Sequence, residues 1–345
     1  MRHPPLLPGW IDRPHHERSI GVLPLEGGGR IEDCRLVWVE HGERNAAGDN
    51  TILACCAIGS THHRLDFLVG PGRALDTRRF HVIAIDALGN GLSSSPSNTP
   101  AQAGAAFPAV AIRDMVESQR RLLDLLGIAR LHAVVGASMG GMQALQWAVS
   151  HPQRVRRVVA MTAMARTSRW SQLMNELSRR ALFEDDACTV PRERGAAMRL
   201  WAPLTQLAIP STPLATERFA HRNELMDEIR RLEQRFAEHG PDAFDWACQT
   251  RAYDAHDLGA TPGLPGDLQA ALHAIQAPTL LLAPPLDLYN PPSATREMVA
   301  HLRNGCFIEI ASPRGHRAAT DERAEDAAFL NRVIGDFVGG SHAGQ

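Results

Sequence analysis

A lone serine interrupts an apolar, glycine-rich stretch of the sequence, "VVGASMGGMQALQWA". The segment from Gly136 to Gly140 fits the pattern G-x-S-x-G, in which a strand turns abruptly into a helix and exposes the serine hydroxyl at the apex. Side chains at these two glycines would collide with neighbouring backbone, and the helix amino terminus favours developing negative charge. The pattern therefore predicts that Ser138 is a nucleophile; the alternative is a glycine-softened turn carrying a solvated serine.

A serine hydroxyl needs a base to take its proton, and that base needs a carboxylate to orient it. In the chain order expected for this motif, Asp287 follows the apolar run "APTLLLAPP" and His316 follows the run "CFIEI". Both positions come at the carboxyl ends of predicted strands, so we expect them at the same sheet edge as Ser138. Singly, each has a simpler interpretation, as a turn aspartate and as one loop histidine among 16. The rival residues fall in a predicted insertion and are Asp254, His256 and Asp257.

An oxyanion formed during attack on a carbonyl needs two backbone N–H donors. One is expected from Met139, directly after the serine, and the other from the loop that follows an early strand, at Ala57 or Ile58. The alternative for the loop is a strand end turned by Gly59 that has no role as a donor.

Elements that position these residues are visible as alternating apolar runs and helical patterns, as in a doubly wound α/β sheet. Uniformly apolar runs predict buried parallel strands, at Thr51–Ile58, Phe80–Ile85, Leu131–Val135, Arg157–Met161, Thr279–Leu282 and Cys306–Ile310. The alternation stops over residues 166–274, where helical stretches such as "RNELMDEIRRLEQRFAEHG" take over. We therefore expect a core of residues 1–165 and 275–345 and a helical cap of residues 166–274 inserted between its halves.

Composition excludes several classes of protein. The formal charge of -2 gives no reason to expect nucleic acid or an anionic membrane surface as a partner. The chain contains no lysine, which excludes a pyridoxal phosphate Schiff base and a phosphate-loop lysine. The six cysteines include no C-x-x-C pair, and with no signal-peptide pattern this favours reduced thiols and a cytoplasmic location. The adjacent His62 and His63 lack the usual spacing of a metal site, so no metal or other cofactor is expected.

The sequence resembles the homoserine O-acetyltransferase family of α/β-hydrolase-fold enzymes, which contains acyltransferases and ester hydrolases. The resemblance spans most of the chain and implies a mostly parallel central sheet flanked by helices, with an inserted helical cap. It also implies a homodimer formed through the cap. The segments that carry it are "GASMGGMQALQWA", "RFHVIAIDALGNGLSSSPSNTP", "TRAYDAHD", "APTLLLAPPLDLYNPP" and "SPRGHRAATDERAEDAAFL".

One position departs from the homoserine-using members, in which an aspartate follows the catalytic histidine and grips the substrate's ammonium group. Here Arg317 follows His316, and a cation there would repel that group. Together with "GNGLSSSPSN", this is similar to the hydrolase branch, although Arg317 could also be a structural charge at the rim. We therefore expect hydrolysis of short-chain carboxylic esters through an acyl-enzyme, with Arg251, Tyr253 and Arg317 as substrate contacts. The alternatives are an acetyl-CoA-dependent O-acyltransferase acting on homoserine or another small alcohol, and a catalytically inactive binding protein.

Overall fold

A single twisted sheet organises the chain. The computed structural model describes residues 3–208 and 218–340. Within them, eight strands form the main sheet in the order β1-β4-β6-β5-β7-β8-β9-β10, while β2 and β3 pair separately. The strands are His16–Ser19 (β1), Leu23–Pro24 (β2), Arg30–Ile31 (β3), Arg35–His41 (β4), Thr51–Cys55 (β5), His81–Ile85 (β6), Ala133–Ala137 (β7), Val158–Met161 (β8), Thr279–Ala283 (β9) and Gly305–Glu309 (β10).

Helices occupy the crossovers between the parallel strands and the segment between β8 and β9. The α-helices of the described residues are Ile112–Leu125 (α1), Met139–Ser150 (α2), Arg169–Leu182 (α3), Arg194–Pro203 (α4), Arg222–His239 (α5), Ala243–Asp254 (α6), Leu268–Ala274 (α7), Pro292–His301 (α8) and Ala324–Gly339 (α9). Short 3-10 helices include His62–Leu68 and Gly315–Ala319. Among the described residues, no helix has both the length and the apolar content needed to cross a membrane.

The six strands predicted from the sequence are present and run parallel, with ends shifted by a few residues. This confirms the α/β-hydrolase fold with a mostly parallel sheet. β4 pairs antiparallel with both β1 and β6, which extends the sheet at one edge. The six cysteines carry free thiols, and four of them are buried.

Alternate residues of the central strands point to opposite faces of the sheet and enter separate apolar cores. In β5, Leu53 and Cys55 belong to the core packed by α1 and α2, whereas Ile52 and Ala54 belong to the core packed by α9. Because both faces are covered by helices, the central strands are fully buried. The strand ends that carry the site are therefore held rigidly.

The helices between β8 and β9 form a smaller third cluster, in which Phe183, Trp201 and Trp246 are buried. The end of this segment packs differently, because Tyr253 and Leu272 join the main core. The division into core and cap at residues 166 and 274 stays a prediction. The last third of the insertion therefore packs against the core of the main sheet.

Candidate active site

Ser138 lies at the sharp junction between β7 and α2. Its φ of 56° and ψ of -123° place it in a region that side chains other than glycine rarely adopt, so the turn is strained. A Cβ added at Gly136 would lie 2.1 Å from backbone atoms of Gly140, and one added at Gly140 would lie 2.4 Å from the carbonyl oxygen of Cys55. These distances confirm the steric role predicted for both glycines.

The structure brings Ser138, His316 and Asp287 together at the carboxyl edge of the sheet. The Oγ of Ser138 is 2.9 Å from Nε2 of His316, and Nδ1 of His316 is 2.8 Å from Oδ2 of Asp287. The Asp287 side chain is fully buried, whereas the His316 side chain is 15% exposed. The sequence placed all three residues at this edge, and the contacts between them are those of a proton relay.

Hydrogen bonding around Asp287 fixes the direction in which a proton can move. Its other oxygen, Oδ1, accepts the backbone N–H groups of Tyr289 at 2.9 Å and Asn290 at 2.8 Å. A carboxylate can only accept, so Nδ1 of His316 carries a proton and Nε2 presents its lone pair to the Ser138 hydroxyl. His316 is therefore oriented as a general base towards Ser138.

The predicted oxyanion donors lie in two segments, the start of α2 and the loop after β5. The N–H of Met139 belongs to the first turn of α2, where helix geometry provides no acceptor. Ala57 and Ile58 are in the loop after β5, and the amide of Gln143 donates to the Cys56 carbonyl at 3.0 Å, which fixes this loop against α2. Assignment of these backbone groups to an oxyanion hole stays a prediction.

The predicted substrate contacts have different positions. Tyr253 is fully buried; its hydroxyl donates to Oδ1 of Asn290 at 2.6 Å and interacts with the Ser138 side chain. Burial raises the pKa of Tyr253 well above its usual value, so the hydroxyl keeps its proton. Arg251 is exposed and donates to the Ala187 carbonyl at 2.7 Å, within the insertion.

Arg317 follows the base and has two polar partners of its own. Its guanidinium lies 3.1 Å from Oε1 of Glu322 and 2.5 Å from Oε1 of Gln206. The side chain is 25% exposed. Its positive charge is therefore partly offset by Glu322, a carboxylate that also lies 3.4 Å from the guanidinium of Arg314.

Two residues that the sequence did not single out, Tyr289 and Asn290, fix the segment around Asp287. The amide of Asn290 donates to the Thr162 carbonyl at 2.6 Å, and the hydroxyl of Tyr289 donates to Oδ1 of Asn175. Both residues follow Asp287 in the string "DLYNPP". The sequence signal for these two residues was their position just after the predicted catalytic acid. Residues there must supply the hydrogen bonds that a buried carboxylate needs.

The rival residues have structural partners in the described chain. Asp254 accepts from Nδ2 of Asn175 at 2.7 Å, and Asp257 caps the following 3-10 turn. His256 is buried against the Met164 carbonyl at 3.2 Å. These contacts occupy the three groups in packing between the insertion and the core.

A second cluster of titratable side chains lies apart from the triad. One ligand atom each from His3, His62 and His63 falls within 4.8 Å of the others. The spacing argument against a metal at His62 and His63 considered only neighbours in the chain, whereas the fold adds His3 from the amino-terminal segment.

The fold and the Ser–His–Asp geometry define an enzyme of the alpha/beta hydrolase fold. The sequence also matches the family model named alpha/beta hydrolase fold over residues 70–316. A homoserine O-succinyltransferase from Methylibium petroleiphilum is 31% identical over 377 aligned residues, which cover 95% of this chain and 96% of that protein. The chain belongs to the homoserine O-acyltransferase family of this fold.

Solved structures similar to this chain include hydrolases. The acetyl esterase MekB superimposes with a TM-score of 0.86 at 28% identity, covering 94% of this chain and 97% of that one. An acetylester hydrolase from Corynebacterium glutamicum gives a TM-score of 0.86 at 26% identity, covering 94% and 96%. The family resemblance predicted from the sequence is confirmed, and both of its branches are represented among similar proteins.

Proposed function

We propose that this protein is an acyl-CoA-dependent O-acyltransferase that carries the acyl group on Ser138 and passes it to a small alcohol of the homoserine type. The observation that carries the proposal is the 2.9 Å contact between Ser138 and His316 at a serine that is only 3% exposed. A buried acyl-serine is protected from bulk water, which favours transfer to a bound alcohol over hydrolysis.

The reaction has two halves that use the same residues. His316 takes the proton of Ser138, the oxygen attacks the thioester carbonyl, and coenzyme A leaves with a proton from His316. In the second half, His316 takes the proton of the acceptor hydroxyl, whose oxygen attacks the acyl-serine carbonyl. The bond to Ser138 then breaks, and His316 returns the proton to the Ser138 oxygen. Asp287 stabilises the imidazolium that forms in each half, and the donors at Met139 and the loop of Ala57 and Ile58 hold the oxyanion.

Two further observations support transfer over the hydrolysis favoured by the sequence alone. The similar homoserine O-succinyltransferase extends over 95% of this chain. The objection based on Arg317 also weakens, because the carboxylate of Glu322, 3.1 Å from its guanidinium and shared with Arg314, partly offsets the repulsion of an ammonium group.

Ester hydrolysis is the second candidate, and a specific observation favours it. The residue after His316 is an arginine rather than the aspartate implied for homoserine-using members, and the acetyl esterase MekB is 28% identical to this chain. In that case water replaces the alcohol in the second half of the same mechanism.

An assay of how the acyl group partitions between water and homoserine distinguishes acyl transfer from ester hydrolysis. The protein is incubated with acetyl-CoA or succinyl-CoA, with and without L-homoserine, while thiol release and O-acylhomoserine are measured together; p-nitrophenyl acetate is assayed in parallel. Transfer predicts that homoserine accelerates thiol release and that acylated homoserine accumulates in equal amount. Rapid hydrolysis of p-nitrophenyl acetate, with no acylated homoserine from either thioester, overturns the proposal in favour of hydrolysis.

A further inference from the structure

Three histidines form a compact cluster near the amino terminus, which we call the histidine cluster: His3, His62 and His63. The Nε2 atoms of His3 and His63 are 3.1 Å apart. One ring nitrogen from each of the three residues lies within 4.8 Å of the others. The cluster joins the amino-terminal segment to the 3-10 helix His62–Leu68.

Two of these imidazoles are oriented by buried carboxylates. Nδ1 of His62 is 2.8 Å from Oδ2 of Asp86, and Nδ1 of His63 is 2.6 Å from Oδ2 of Asp66. Each carboxylate holds the proton on Nδ1, so each Nε2 presents a lone pair to the cluster. A carboxylate behind an imidazole in this way is the usual outer shell of a metal-binding histidine.

The ring nitrogens that face the cluster have few partners among the described residues. Nε2 of His62 is buried and has no hydrogen-bond partner among the residues that the structure describes, and the side chain is fully buried. A buried nitrogen left unpaired is costly. Nε2 of His63 accepts a hydrogen bond from Nε2 of His3 at 3.1 Å, so an ion at this place would take the position of one proton, with His3 in its other neutral tautomer.

We propose that the histidine cluster binds a divalent transition metal, best fitted by Zn²⁺, through the Nε2 atoms of His62 and His63 and a ring nitrogen of His3. Neutral imidazole is a preferred ligand for Zn²⁺, and tetrahedral coordination at 2.0–2.1 Å places ligand nitrogens about 3.3 Å apart. The His3–His63 pair, at 3.1 Å, is close to this distance, and all three nitrogens lie within 4.8 Å, so small side-chain shifts would bring His62 to the same spacing. The charge of the ion also offsets the buried carboxylates of Asp66 and Asp86.

The histidine cluster and the carboxylates behind it share no residue with the triad of Ser138, His316 and Asp287. Asp86, which orients His62, also accepts from the backbone N–H of His62 at 2.8 Å and from Asn90 at 2.8 Å. The ion would therefore fasten the amino-terminal segment to the loop after β5. We therefore expect a bound ion to raise the thermal stability of the protein and to keep the amino-terminal segment attached to the core.

The test uses the full chain, stripped of metal with a chelator and then titrated with Zn²⁺ by calorimetry and with Co²⁺ by visible absorption. We expect one equivalent of either ion to bind, with the intense absorption of tetrahedral Co²⁺, and the thermal midpoint to rise with Zn²⁺. Asp86→Asn removes an outer-shell partner and should weaken binding about 10- to 100-fold.

Alanine variants identify the ligands. His62→Ala and His63→Ala should each abolish stoichiometric binding, while His273→Ala, an exposed histidine on α7, should bind as the unmodified chain does. His3→Ala alters a half-buried residue near the amino terminus, so it keeps the test decisive if a buried variant misfolds. No binding at millimolar Zn²⁺, or stoichiometric binding unchanged in folded His3→Ala and His63→Ala proteins, overturns the proposal.

Discussion

The ring of Tyr289 stands edge-on to the imidazole of His316, with centroids 5.0 Å apart and planes at 86°. The same tyrosine supplies a backbone N–H to Asp287 at 2.9 Å and donates its hydroxyl to Asn175. One side chain thus restricts the imidazole on one side while its backbone holds the acid. This makes Tyr289 a positioning residue for the base.

Substitutions at Tyr289 should separate these roles. Tyr289→Phe keeps the ring beside His316 and leaves Oδ1 of Asn175 unpaired, so stability should fall by about 1–3 kcal/mol while kcat stays close to its original value. Tyr289→Ala removes the ring and should lower kcat about 100-fold, since a small misplacement of the base is costly. Thermal melts and acylation by p-nitrophenyl acetate measure both; unchanged kcat in Tyr289→Ala would contradict the positioning role.

The proton relay predicts large losses at two positions. Ser138→Ala should give no acyl-enzyme by intact mass, because the attacking oxygen is gone. Asp287→Asn should lower kcat about 10⁴-fold, since an amide no longer selects the productive tautomer of His316. Ser293→Ala, an exposed serine on α8, is the matched control and should be acylated as before. Mass addition that persists in Ser138→Ala would place the nucleophile elsewhere.

Close packing at the bend predicts that Gly140→Ala is severely destabilising. The new Cβ would lie 2.4 Å from the Cys55 carbonyl oxygen, so either α2 or the end of β5 must move. We expect a loss of about 3 kcal/mol or more in urea unfolding, together with slower acylation as the loop of Ala57 is displaced. Gly27→Ala is the control, because nothing lies within 4 Å of a Cβ there. Equal stability of the two variants would refute the steric argument.

Burial of Asp245 predicts a pH-dependent penalty. The carboxyl is 3% exposed, and desolvation raises its pKa from 3.8 to about 6 despite hydrogen bonds from Ser97. Because the pKa of Asp245 is higher in the folded chain than in the unfolded one, this carboxyl does not lower the free energy of unfolding below pH 4. The free energy of unfolding falls as the pH rises from 4 to about 6, and the loss is complete at higher pH.

Asp245→Asn should therefore match the unmodified protein in stability near pH 4 and exceed it at pH 7, by up to about 3 kcal/mol. Urea unfolding at several pH values measures the difference. A difference that is constant with pH would show that the carboxyl does not titrate differently in the folded chain.

Sequence patterns predicted the parts of the fold that are governed by strong local rules. The buried parallel strands are continuous apolar runs, and the glycines around Ser138 leave no room for any other residue. β4 was missed because "RLVWVEH" begins and ends in polar residues, which weakens the apolar pattern; it pairs antiparallel as the second strand from one edge of the sheet.

Long-range partners were beyond the reach of sequence patterns. Nothing in the residue types of Asn175 or Gln206 indicates that they meet Tyr289 and Arg317, because those contacts depend on how the insertion packs on the sheet. The same limit applies to His3, which lies 60 positions from His63 along the chain. Arg317 was interpreted either as a substrate contact or as a structural charge at the rim, because its partners could not be seen.

The Oγ of Ser138 and Nε2 of His316 lie 2.9 Å apart, yet the two residues are separated by 178 positions in the chain. A nascent polypeptide that has passed Ser138 but not His316 carries the hydroxyl without the imidazole beside it. Any reactivity that depends on this pair therefore has to wait until synthesis has passed His316 and the two residues have met at the sheet edge.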